Sequence, residues 1–239
     1  MLETLKEQVY RANMSLKENN LIILTWGNVS GIDKSRQYVA IKPSGVAYSE
    51  LSPDKIAIVD MQGNIVDGDL NPSSDTPTHL ELYKAYPEIG GVCHTHSLYA
   101  TSFAQATGWI DSIGAYGTTH ADYFNGAVLC TREMKKKEIT QDYEKNTGLV
   151  IIETLRKAKL TPEEMPAVLV YSHGPFTWGK NADEAAENSL VLENVAHLAF
   201  NTHVLNGANA GIESVISNDL LRKHFDRKHG ANAYYGQKK

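Results

Sequence analysis

The 239-residue chain is poor in cysteine. It has two, Cys93 and Cys130, and no Cys-x-x-Cys pair, so neither redox nor cysteine-rich zinc chemistry is indicated. It lacks an excess of positive charge: 23 Lys and Arg stand against 28 Asp and Glu, a formal net charge of -5. That balance removes the electrostatic case for nucleic-acid binding. The one basic run, Lys135–Lys137, is followed by Glu138 and reads as a solvated helix start. No apolar run is long enough to cross a bilayer, and Met1-Leu2-Glu3-Thr4 is not the start of a basic-then-apolar leader. The expectation is a cytoplasmic protein with no membrane partner. There is no Walker-type or dinucleotide glycine loop, no internal repeat and no linker. With 42% apolar residues the chain can bury a core without a disulfide or structural metal.

The patterning that is present reads as one α/β domain over residues 1–239. Leu5, Val9, Ala12 and Leu16 recur at helical spacing over residues 2–18. Leu21–Leu24 reads as a short buried strand, and Tyr38–Ile41 as the returning strand of a hairpin. Ile56–Asp60 and Ile65-Val66 flank Gly63-Asn64, a second hairpin. Thr76 fits an N-cap with Pro77 first in a helix running to Tyr86. A strand over 91–96 leads into an alanine-rich helix over 97–106, and 114–126 reads as a loop. Strands are expected at 128–130, 167–171 and 176–179. Long helices are expected over 143–158 and from the Asn181/Glu184 capping box to Asn206, closed by Gly207. A last helix, carrying Leu220, Leu221 and Phe225, stops at Lys228-His229-Gly230. Hairpins outnumber βαβ units, so the central sheet is expected to be mostly antiparallel.

Chemistry concentrates in a few places. In Gly91-Val92-Cys93-His94-Thr95-His96 the two-residue period of a strand puts His94 and His96 on one face and Thr95 on the other. His173 ends a second apolar strand. Three strand-end histidines can share one Zn²⁺ and leave a position open for substrate. Asp75 is either a fourth ligand or a carboxylate that orients a ligating imidazole. Gly27-Asn28, Ser44-Gly45 and Ser73-Ser74 offer N–H and hydroxyl donors in turns, and Lys42 adds charge. Ser73-Ser74 precedes a helix start, where an anion is favoured, so a phosphorylated small molecule is the expected ligand. Asp122, in His120-Ala121-Asp122, is a candidate acid/base or a cap. His79, His197 and His203 read as structural, and His224 and His229 as cations near the end of the last helix.

Taken together, several motifs carry a family resemblance. They are Leu24-Thr25-Trp26-Gly27-Asn28-Val29-Ser30, Ile41-Lys42-Pro43-Ser44-Gly45-Val46, Pro72-Ser73-Ser74-Asp75-Thr76-Pro77-Thr78-His79, His94-Thr95-His96-Ser97, Gly117-Thr118-Thr119-His120-Ala121-Asp122-Tyr123, Ser172-His173-Gly174-Pro175-Phe176 and the tail Arg227–Gln237. In this order, over nearly the whole chain, they resemble the L-ribulose-5-phosphate 4-epimerases of the class II aldolase and adducin-head superfamily. The resemblance implies a three-layer α/β/α sandwich with a mostly antiparallel sheet, assembled as a cyclic homotetramer. It implies one Zn²⁺ per subunit on His94, His96 and His173 with Asp75 beside it. It implies phosphate contacts from Asn28, Lys42, Ser44, Gly45, Ser73 and Ser74, alongside Gly27. The acid/base pair maps onto Asp122 and Tyr235 of the neighbouring subunit, so that the tail 231–239 completes an active site, and His224 maps onto a further active-site position. The implied reaction interconverts L-ribulose 5-phosphate and D-xylulose 5-phosphate in arabinose or ascorbate breakdown. The C4 hydrogen is one carbon too far from the C2 carbonyl to be acidic, so inversion calls for retro-aldol cleavage of C3–C4 and re-formation on the other face. Related readings are an aldolase that releases its aldehyde and an adducin-like interaction module without catalysis.

Overall fold

The structure, a computed structural model, describes residues 2–106, 112–207 and 215–236. Seven strands form one sheet in the order β4-β3-β2-β1-β5-β9-β8. They are β1 (Asn28–Ile32), β2 (Tyr38–Ile41), β3 (Ala57–Asp60), β4 (Ile65–Asp67), β5 (Gly91–His94), β8 (Ala167–Val170) and β9 (Gly174–Gly179). Every ladder in this sheet is antiparallel, as the excess of hairpins predicts. β6 (Ser112–Ile113) and β7 (Val128–Leu129) pair separately.

Alternation along the strands builds two cores. Val29, Ala40, Ile58 and Cys93 face α1 (Leu2–Glu18), through Leu5, Val9, Ala12 and Leu16, and the first turns of α7 (Ala182–Asn206). Val39, Val59 and Val92 face the other way. There they pack with α2 (Thr76–Ala85), α3 (Leu98–Gln105), α6 (Tyr143–Ala158) and the middle of α7. Helices on both sides of one sheet give the three layers that were expected. Two short helices, α4 (Thr118–Ala121) and α5 (Lys136–Thr140), α8 (Asn218–His229) and a 3-10 turn over Pro53–Lys55 complete the described elements.

Several local expectations need correction. Leu21–Leu24 is not a strand: Ile23 and Leu24 are exposed, and Leu24 has φ 56°. The strand begins at Asn28, where the Asn13 side chain brackets Val29 by donating to its carbonyl (3.0 Å) and accepting from its N–H (2.9 Å). Apolar β-branched content marked the right neighbourhood, but backbone pairing set the strand further on. Asp75, not Thr76, occupies the N-cap of α2, and its side chain makes no capping bond. The 114–126 stretch holds α4 rather than a plain loop. Asn181 caps α7 as expected, accepting from the Glu184 N–H. Gln237 of the tail motif lies outside the described residues.

Candidate functional site

Three neighbouring strands bring Asn28, His94 and Phe176 into one row, because Asn28 pairs with His94 and His94 with Phe176. The His94 ring stacks on Phe176 with centroids 4.1 Å apart. β5 ends at His94, so His96 lies just beyond the strand. The turn between β8 and β9 returns His173 to the same place. The ring centroids are 4.9 Å apart for His94–His96, 4.7 Å for His94–His173 and 5.1 Å for His96–His173. Two glycines permit this approach. Gly27 has φ +84°, and a Cβ there would lie 2.9 Å from the His94 carbonyl oxygen. A Cβ on Gly174 would lie 2.8 Å from that of Thr95.

The three residues offer ligand atoms within 4.8 Å of one another. The His94 Nδ1 donates to the Pro175 carbonyl at 2.9 Å. A carbonyl only accepts, so Nδ1 carries the proton and Nε2 keeps its lone pair. His173 Nδ1 shares a 3.3 Å hydrogen bond with the Tyr143 hydroxyl. Burial first, then the neighbouring His94, lowers the His96 pKa to about 4. Burial, then His94 and His96, lowers that of His173 to about 3. Both imidazoles are therefore neutral near pH 7, the state in which they bind metal. Asp75 stands beside them. Burial works to raise its pKa, but His94, His79, the Asn28 amide and His173 outweigh burial and the net direction is down. Asn28 Nδ2 donates to Asp75 Oδ2 at 2.7 Å and to Ser73 Oγ at 3.1 Å. Imidazoles converging beside a half-buried carboxylate fit a divalent cation.

The same cleft, about 400 Å³ in volume, is lined by Gly27, Asn28, Lys42, Ser44, Ser73 and His96 among others. Lys42 is 2% exposed. Burial lowers its pKa to about 8. Its ammonium group donates to the Pro43 carbonyl at 3.3 Å and lies 4.9 Å from the Tyr48 ring centroid. No carboxylate pairs with it among the described residues. A buried cation left without a counter-charge on a cleft wall suits an anionic ligand group. The turns supply fewer backbone donors than the sequence suggests. The Ser44 N–H is committed to the Asn71 carbonyl (2.9 Å) and that of Ser73 to the Lys42 carbonyl (3.0 Å). The donors facing a ligand are thus mainly hydroxyls, with Gly45 in the left-handed conformation at φ +70°.

Asp122, His224 and Tyr235 also come together, but elsewhere. Arg227 grips Asp122 with two hydrogen bonds, Nε to Oδ1 at 3.0 Å and Nη2 to Oδ2 at 2.7 Å. His224 Nδ1 donates to Oδ1 at 3.0 Å, and His229 Nε2 to the Asp122 carbonyl at 2.9 Å. These two histidines, expected as solvated cations, are thus both engaged. Tyr235 packs against Arg227 and Lys228 at 4.9 and 4.7 Å. It borders a second cavity of about 570 Å³, which contains none of the three clustered histidines. None of Asp122, His224 and Tyr235 lines the histidine cleft of their own chain.

Sequence reasoning missed Tyr143, Glu144 and Trp26 as cleft residues. Tyr143 was legible only as a periodic position of α6, and nothing in its sequence neighbourhood ties it to His173. Trp26, inside a recognised motif, has its ring 5.9 Å from that of His96. His79 is structural as expected: fully buried, it shares a 2.7 Å hydrogen bond with Ser30.

A family model described as "Class II Aldolase and Adducin N-terminal domain" matches residues 7–200. Among solved structures, an L-fuculose 1-phosphate aldolase is similar with a TM-score of 0.75 and 24% identity, covering 94% of this chain and 95% of its own. YgbL from Escherichia coli, described as "a putative aldolase/epimerase/decarboxylase", aligns with a TM-score of 0.72 at 22% identity, covering 93% and 99%. The L-fuculose-1-phosphate aldolase of Thermus thermophilus gives 0.66 at 22% identity, covering 86% and 98%. At these identities the likeness is one of fold.

Proposed function

This chain belongs to the class II aldolase and adducin N-terminal domain family, and from that premise we propose that it is an L-ribulose-5-phosphate 4-epimerase. The observation that carries the reading is the pairing, in one cleft, of three converging imidazoles with a buried and uncompensated Lys42. The first half suits a metal and the second a phosphate. An interaction module without catalysis has no need of either.

In this reading His94, His96 and His173 hold one Zn²⁺ per subunit, with Asp75 beside them. The ion would supply Lewis-acid stabilisation of charge developing on the substrate oxygens next to the breaking C3–C4 bond, an effect worth several kcal/mol. Lys42 binds the phosphate through charge, assisted by Ser44, Gly45, Ser73, Ser74 and Asn28, while Gly27 lets that wall approach His94. Asp122 and Tyr235 hold and return the proton of the C4 oxygen, and His224 keeps Asp122 in place. These groups lie outside the cleft of their own chain, which supports a cyclic tetramer whose active sites combine two neighbouring copies. The exposed apolar residues Leu198, Phe200, Val204 and Leu205 at the end of α7 supply surface for such an interface.

The test is conversion of L-ribulose 5-phosphate by purified protein, with and without a chelator. D-xylulose 5-phosphate formed without free glycolaldehyde phosphate, and lost on chelation, is the expected result. Accumulation of glycolaldehyde phosphate and dihydroxyacetone would instead identify an aldolase.

A further inference from the structure

One residue touches both of the groups assigned to proton transfer. The Arg227 guanidinium forks onto the two oxygens of Asp122 at 3.0 and 2.7 Å. Its backbone carbonyl accepts the N–H groups of Tyr234 (3.0 Å) and Tyr235 (3.1 Å). Its guanidinium carbon also lies 4.9 Å from the Tyr235 ring centroid, within cation–π range. Tyr235 itself is well exposed, and a terminal segment with so little burial stays in place only where something ties it down. His224 and His229 brace Asp122, and Lys228 contacts Tyr235. Arg227 does both.

We infer that Arg227 is the positioning residue that couples the two proton-transfer groups, orienting the Asp122 carboxylate and docking the tail so that Tyr235 stands in register with it. The inference rests on the acid/base assignment made above. Arg227 touches no reacting atom in this scheme; it acts through Asp122 and Tyr235. Lysine cannot substitute fully, because a point charge does not fork onto a carboxylate.

Steady-state kinetics of six proteins test this: wild type, Arg227→Gln, Arg227→Lys, Asp122→Asn, Tyr235→Phe and the Asp122→Asn/Arg227→Gln double variant. Metal content and thermal melting are measured alongside. Arg227→Gln is expected to lower kcat roughly a hundredfold, within the range for losing a positioned acid or base, with KM changed less than about threefold. Arg227→Lys is expected to lose about tenfold, and it carries the test if the glutamine variant fails to fold. The double variant is expected to be slower than Asp122→Asn alone by less than the full Arg227→Gln loss, because only the docking of Tyr235 is left for Arg227 to do. Inactive Asp122→Asn and Tyr235→Phe beside a near-wild-type Arg227→Gln would overturn the role of Arg227 and leave the acid/base reading standing. Losses that multiply in the double variant would also overturn it. Full activity in Asp122→Asn and Tyr235→Phe would remove the acid/base reading, and the coupling with it.

Discussion

At the scale of single residues the proposed reading divides the cleft between groups that bind the phosphate and groups that hold a metal. Lys42→Met and Ser44→Ala are expected to raise KM for L-ribulose 5-phosphate with little effect on free L-ribulose, since their contribution is to a part of the substrate that does not react. Equal losses with both sugars would remove them from the phosphate site. His94→Asn and His173→Ala are expected to lose bound metal and nearly all activity while melting cooperatively, because two continuous cores hold the fold. Collapse of both variants would show that the metal is structural. The buried imidazoles also set an acid limit. Burial lowers the pKa of His79 and His173 to about 3 and of His96 to about 4, against 6.5 for the ordinary side chain. The unfolded chain therefore takes up protons that the native state refuses, and metal-free protein should lose stability as the pH falls from about 6.5 toward 4. Urea unfolding at stepped pH checks this, and a flat profile across that window would contradict it. The histidines, Asp75 and Lys42 were legible because short motifs carry them. The Arg227 grip on Asp122 was not, since the two are joined only by the packing of α8 against α4.

At the scale of elements, the site sits where strand ends, hairpin turns and helix starts meet. Gly27 shows how closely they fit: its φ of +84°, and the short distance at which any Cβ would meet the His94 carbonyl, leave no room for a side chain. Gly27→Ala is expected to cost about 1–3 kcal/mol of stability and to weaken metal binding by displacing β5. Unchanged melting and metal affinity would show that the turn yields freely. The sheet was readable from alternation, since Val39 and Ala40, or Val92 and Cys93, go to opposite cores. The start of β1 was not readable. Leu21–Leu24 has the composition of a strand, but the buried side chain of Asn13 on α1 holds the backbone at Val29 instead. Tyr143, at the start of α6, was hidden for the same kind of reason: its contact with His173 spans 30 residues of sequence.

At the scale of the whole molecule, this member of the class II aldolase and adducin family carries two clusters of polar side chains that do not share a cleft within one copy. The histidine cleft has His94, His96, His173 and the buried lysine, while Asp122, His224, Arg227 and Tyr235 form a separate cluster. In the proposed enzyme the cleft of one copy and the cluster of its neighbour make one epimerase centre. The direct measurement mixes two inactive variants, His94→Asn and Tyr235→Phe, under conditions where subunits exchange, and follows formation of D-xylulose 5-phosphate. In a randomly mixed ring about one interface in four joins an intact cleft to an intact tyrosine, so activity should return to roughly a quarter of the wild-type level per site. Mixtures that demonstrably exchange subunits yet remain inactive would contradict the account.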